Sequence, residues 1–151
     1  MTAKTKRTGR QVLLRIAFVA YVLWMLWLLF GQRWGTEIYS QELAKSMNLR
    51  PFVTINHFVA LLKGGSSGLV THAVINLVGN VVMFVPLGFC LPKIFPKFRS
   101  FLKTFFVCFL LIVAVELVQY YTYLGTCDID DLILNMAGVS IGYLFARIKQ
   151  D

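Results

Sequence analysis

Glu116 has more capacity for chemistry than any other residue in this chain. It lies inside the run Phe105-Phe106-Val107-Cys108-Phe109-Leu110-Leu111-Ile112-Val113-Ala114-Val115-Glu116-Leu117-Val118-Gln119. A carboxyl group in so apolar a run is a functional candidate, because a charged group inside a membrane is costly and needs a reason. It could serve as a general acid or base. Downstream comes Asp128-Ile129-Asp130-Asp131. Its carboxylates, with Asn135, supply hard oxygen ligands that could hold Mg²⁺ or Ca²⁺. Glu116 and Asp131 are therefore the catalytic candidates, and Asp128, Asp130 and Asp131 are the candidate metal ligands. An acidic turn at a helix start has a plainer use. Asp128 can cap the helix, and Asp131 in the first turn favours the helix dipole. The sequence holds no Ser-His-Asp set, zinc motif or phosphate-binding glycine loop. His57 and His72 lack metal-ligand spacing and read as surface or interface histidines.

Amide side chains extend the pattern. Asn76 and Asn80 are four residues apart, Glu116 and Gln119 three, and Asp131, Asn135, Gly138 and Gly142 follow at four, three and four. Each set lies on one face of its helix. Counted from the presumed outer helix ends at about 1.5 Å per residue, Asn76, Asn80, Glu116, Gln119 and Asn135 lie roughly 6–15 Å deep. All fall in one half of a bilayer. The expectation is one polar pocket, opening outward beneath Asp128, Asp130 and Asp131, with Arg50 and His57 from a loop as candidate partners of the acidic cluster. The competing use of such stripes is helix–helix packing, for which Gly138-x-x-x-Gly142 is a known motif.

The elements that must position these groups are transmembrane helices. Apolar stretches cover about 12–30, 70–92, 101–123 and 131–147. Hydrophobic residues make up 58% of the 151, and the mean hydropathy is +0.69. A span needs about 20 apolar residues, so four spans fit. Lys4, Lys6, Arg7 and Arg10, then Lys93, Lys97, Arg99 and Lys103, then Arg147 and Lys149 flank them. Cytoplasmic flanks carry the Lys and Arg excess, so both termini are expected in the cytoplasm. The net charge of +8 reflects topology and attraction to anionic lipid headgroups, not nucleic-acid binding. Arg15 is close enough to the inner interface to snorkel. The first span lacks a small-residue cleavage site at Gly31-Gln32-Arg33-Trp34 and reads as a retained anchor. Three cysteines, Cys90, Cys108 and Cys127, make no disulfide framework.

The chain reads as a single domain over 1–151, all-α, with a helical outer loop between the first two spans. Thr36 could cap a short helix through about Met47, and Pro51 interrupts. Thr54 could start a second helix with Ile55, Phe58, Val59 and Leu62 on one face. Gly64-Gly65-Ser66-Ser67-Gly68 ends it. Pro86 should kink the second span by freeing the Val82 carbonyl.

These motifs resemble the VanZ-like family. The matching residues are Asn48-Leu-Arg-Pro51-Phe52, Asn76-x-x-Gly79-Asn80-x-x-Met83-Phe84-x-Pro86-x-Gly88, Glu116-x-x-Gln119 and Asp128-Ile129-Asp130-Asp131-x-x-x-Asn135-x-x-Gly138-x-x-x-Gly142. They occur in the family's order and spacing across about 10–148. Many members carry an Arg shortly before the acidic motif. Here Gly125-Thr126-Cys127 stands there, and Arg50 is the candidate substitute. The resemblance implies a bacterial cell-membrane protein giving low-level resistance to teicoplanin, a lipid-tailed glycopeptide. Its pocket would bind a lipid-linked cell-wall precursor or the lipoglycopeptide itself among the membrane lipids. An intramembrane enzyme acting on an envelope lipid or polyprenyl-linked substrate is the second reading. A small proton-coupled transporter, complete only as an oligomer, is the third.

Overall fold

The computed structural model describes residues 3–31, 47–122 and 124–148, with side chains from residue 9 onward. Helix α1 (Ala3–Leu26) ends in a π turn, Trp27–Gly31. A two-residue strand β1 (Met47–Asn48) leads to α2 (Val53–Gly64). Then come α3 (Ser67–Ile94), a 3₁₀ turn at Pro96–Phe98, and α4 (Phe101–Tyr121). Strand β2 (Cys127–Asp128) precedes α5 (Ile129–Ile148). Four of these helices are long and apolar enough to cross a membrane: Gly9–Gly31, α3, α4 and α5.

The boundaries differ from the hydropathy reading at the polar ends. Helix α3 starts at Ser67 rather than 70 and α5 at Ile129 rather than 131. Polar residues close to a span can join its helix although they add no hydropathy. Met47 lies in a strand rather than at the end of a helix; the rest of the helix expected from Thr36 lies outside the described residues. The helix expected from Thr54 forms one residue earlier, at Val53. It buries Phe58, which stacks near His72 of α3 at 5.7 Å between ring centres. Helix α3 continues through both Pro86 and Pro92. Neither ring nitrogen can donate, so the carbonyls of Val82 and Gly88 lose their usual helical partner.

The core sits between α3, α4 and α5, around Phe84, Leu87, Leu91, Cys108, Ile112, Met136 and Val139. Helices α3 and α5 run parallel in near contact. A Cβ built on Gly138 would overlap the carbonyl oxygen of Val81, and one on Gly142 that of Val85. Gly88 meets the Val139 carbonyl in the same way. Small residues let membrane helices approach closely where no hydrophobic effect draws them together. Helix α1 sits at the edge. It touches the core through Phe18, Tyr21, Met25 and Leu29, and Tyr21 Oη donates to the Met83 carbonyl at 2.7 Å. Most of its other large side chains, including Val12, Leu13, Ile16 and Leu23, are exposed, as a lipid-facing helix requires.

The charges separate along the bundle. Glu116, Asp128, Asp130 and Asp131 all lie toward the end where α3 and α5 begin and α4 finishes. At the opposite end, among the described residues, there is no acid.

Candidate functional site

The acidic turn works first as a clasp. Asp130 is fully buried. Its Oδ1 accepts the Phe52 N–H at 2.6 Å, and its Oδ2 accepts the N–H groups of Thr54 at 2.8 Å and Ile55 at 3.0 Å. These are orphan donors at the start of α2, which its own N-cap position, Phe52, cannot satisfy. Asp130 therefore caps a helix far away in sequence, and its charge suits that helix's dipole. Phe52 takes a left-handed backbone, φ 66°. That conformation costs a non-glycine residue about 1–2 kcal/mol, and the Asp130 bond to its N–H holds it there.

Asp128 secures the same segment from the other side. It accepts Thr54 Oγ1 at 2.6 Å and Asn48 Nδ2 at 3.3 Å. It also accepts the N–H of Asp130 at 2.9 Å, the cap of α5 expected from its position. Asn48 donates to Thr54 Oγ1 as well. Beneath these side chains β1 and β2 pair in parallel, Met47 with Cys127 and Asn48 with Asp128. Asn48-Leu-Arg-Pro51-Phe52 is thus the counterpart of Asp128-Ile129-Asp130.

Asp131 turns elsewhere. Asn80 Nδ2 donates to its Oδ1 at 2.6 Å, tying α3 to the start of α5. Gln119 faces α1, donating from Nε2 to the Leu29 carbonyl at 3.0 Å. Asn135 is 4% exposed. Its Oδ1 and that of Asn76 are buried and accept no hydrogen bond from the described residues. Arg50 is exposed, and its backbone N–H donates to Asn48 Oδ1.

The clasp builds a cleft of about 250 Å³. Met47 and Leu49 form one wall, Val113 and Leu117 of α4 another, and Ile129 and Leu132 of α5 the third. Glu116, Cys127 and Asp128 complete it. Glu116 is 7% exposed. Of the polar set expected to share one pocket, Glu116 and Asp128 line this cleft. Asn76, Asn80, Gln119, Asp131, Asn135 and Arg50 do not. The Cys127 thiol is pushed above its ordinary range, first by burial, then by the charges of Glu116 and Asp128. The cleft therefore combines apolar walls with two carboxyl groups at its border.

No group of three His, Cys, Asp or Glu side chains able to hold a metal ion occurs among the described residues. Asp128, Asp130 and Asp131 point to different partners, and each accepts donors from the protein itself. Sequence reading missed Asn48 and Thr54 as members of the site, and missed Asp130 as a cap. Their signal was a pair of short polar motifs in two different loops, each beside a helix start.

Parallel α3 and α5, glycine contacts and four apolar helices define a multi-pass helical membrane protein. The VanZ/LLP1 family model matches residues 16–150, and the chain belongs to that family. No protein of curated function and no solved structure matches it significantly.

Proposed function

We propose that this VanZ/LLP1-family protein holds the tail of an envelope amphiphile in the cleft beside Glu116, and that this confers low-level resistance to lipid-tailed glycopeptides such as teicoplanin. The observation carrying the reading is the cleft itself, apolar on three walls and bordered by the buried carboxyl groups of Glu116 and Asp128. Its volume of about 250 Å³ is below the roughly 300–1,000 Å³ of sites that enclose a drug-sized ligand. It suits part of a chain, not a whole glycopeptide. The acidic end faces outward and both termini are cytoplasmic in this reading, because the opposite end carries Arg10, Arg15, Lys93, Lys97, Arg99, Lys103 and Arg147. A lipid-linked cell-wall precursor is the natural resident ligand.

The second reading, an intramembrane enzyme, draws on the burial of Glu116 at the cleft beside Asp128. Glu116 would transfer a proton to or from a bound headgroup.

Photolabelling separates a tail-binding cleft from a merely packed one. The protein, reconstituted with a lipid carrying a diazirine in its acyl chain, should be labelled on Leu117, Ile129 or Leu132. Leu117→Trp, which fills the cleft, should remove that label. Labelling confined to α1 and other lipid-facing surfaces, unchanged by Leu117→Trp, would refute the proposal.

A further inference from the structure

The end of the bundle remote from the cleft holds a second organised feature. The exposed cations Lys97, Arg99, Lys103 and Arg147 come from three segments: the α3–α4 connection, the first turn of α4 and the last turn of α5. A cytoplasmic flank needs positive charge but no fixed arrangement of it. Here part of the backbone that carries it is held, and two of the charged heads lie over aromatic rings. Tyr143, 5% exposed, donates from Oη to the Arg99 carbonyl at 2.7 Å. Its ring lies 5.2 Å from that of Phe101 and 5.9 Å below the Arg147 guanidinium. Thr104 Oγ1 donates to the Phe98 carbonyl at 2.5 Å, and Lys97 Nζ stands 4.9 Å over the Phe98 ring. Buried Tyr143 and Thr104 thus anchor the backbone that carries the cations, and aromatic faces hold two of the charged heads.

We infer that this basic collar is a binding site for the headgroup of an anionic phospholipid, whose tails lie along the exposed apolar surface of the helices. Charge complementarity selects the occupant. Four exposed cations lie at one end of the bundle, and no acid among the described residues of this end opposes them. Arginine guanidinium groups match phosphate in geometry as well as charge. The apolar side chains Leu102, Phe106, Leu144 and Ile148 are exposed beside the collar, which favours a lipid over free phosphate. The inference is independent of what the cleft binds.

Native mass spectrometry of the purified full chain in a neutral detergent, titrated with phosphatidylglycerol or phosphatidylcholine, tests it. Phosphatidylglycerol should be retained preferentially. Arg99→Gln/Arg147→Gln should weaken its binding about 25-fold, at about fivefold for each charge removed near a membrane surface. Arg99→Lys/Arg147→Lys should bind more tightly than the glutamine pair. Lys63→Gln, one exposed charge removed at the other end, should leave binding unaltered. Should the arginine pair fail to fold, Lys97→Gln and Lys103→Gln are each expected to show about the single-charge loss. Equal binding of both lipids, a loss in Lys63→Gln equal to that in Lys97→Gln, or displacement by millimolar inorganic phosphate would overturn the inference.

Discussion

Asp130 gives the sharpest test of how the segment between the first two spans is held. Its carboxylate is fully buried and accepts three backbone N–H groups of residues 52, 54 and 55. Hydrogen bonds to a charged group contribute about 1.5–3 kcal/mol each. Asp130→Ala would remove three, a loss of at least about 4.5 kcal/mol if nothing relaxed. Fraying of the first turn of α2 lets water reach the freed donors, so the expected loss is about 3 kcal/mol. Asp130→Asn grades the effect. Its oxygen can keep the Thr54 and Ile55 bonds while its –NH₂ meets the Phe52 N–H, a loss of about 1.5 kcal/mol. Hydrogen–deuterium exchange of the reconstituted protein reads these numbers locally. Amides in the first turns of α2 should open about a hundredfold more often in Asp130→Ala and about tenfold more often in Asp130→Asn. The α3–α5 interface should stay protected in both. Exchange of α2 within threefold of wild type in the alanine variant would refute the capping argument.

Other consequences are equally open to measurement. Gly138→Leu and Gly142→Leu would drive a side chain into the Val81 or Val85 carbonyl. Each should destabilise the protein by about 1–3 kcal/mol or more, read as a lower midpoint of unfolding in mixed detergent micelles. Asn80→Ala and Asp131→Ala should couple, because one hydrogen bond at 2.6 Å joins them. A double-mutant cycle should return an interaction of about 0.6–1.7 kcal/mol, the range for interhelical bonds in membranes, and additivity would mean the pair is idle. Cys127 should alkylate more slowly at pH 8.5 than an exposed thiol, because burial and two nearby carboxylates keep it protonated. Glu116→Gln removes one of those charges and should speed the reaction; an unchanged rate would place Glu116 too far away to act on the cleft.

The spans were legible because a bilayer imposes a length and an apolar composition on each helix, and both can be read along the chain. The glycines at 138 and 142 were legible as a packing motif, and the structure supplies the partner carbonyls of Val81 and Val85. Asp128 was legible as a cap because the cap of α5 is local. Asp130 was not, since the donors it satisfies begin at Phe52, in another loop. Spacing also showed that Glu116 and Gln119 share a side of α4, but not which neighbour each would meet. Glu116 borders the cleft, whereas Gln119 reaches Leu29 at the end of α1. A periodicity fixes the face within one helix; the order of helices around the bundle decides what that face touches.

Drug susceptibility tests the central claim most directly. A sensitive Gram-positive host would carry empty vector, wild type, Glu116→Gln or Leu117→Trp, matched for membrane level, and be challenged with teicoplanin and vancomycin. Wild type should protect against teicoplanin and not vancomycin, and both cleft variants should lose that protection. Full protection by Leu117→Trp, or equal protection against both drugs, would contradict a tail-binding cleft.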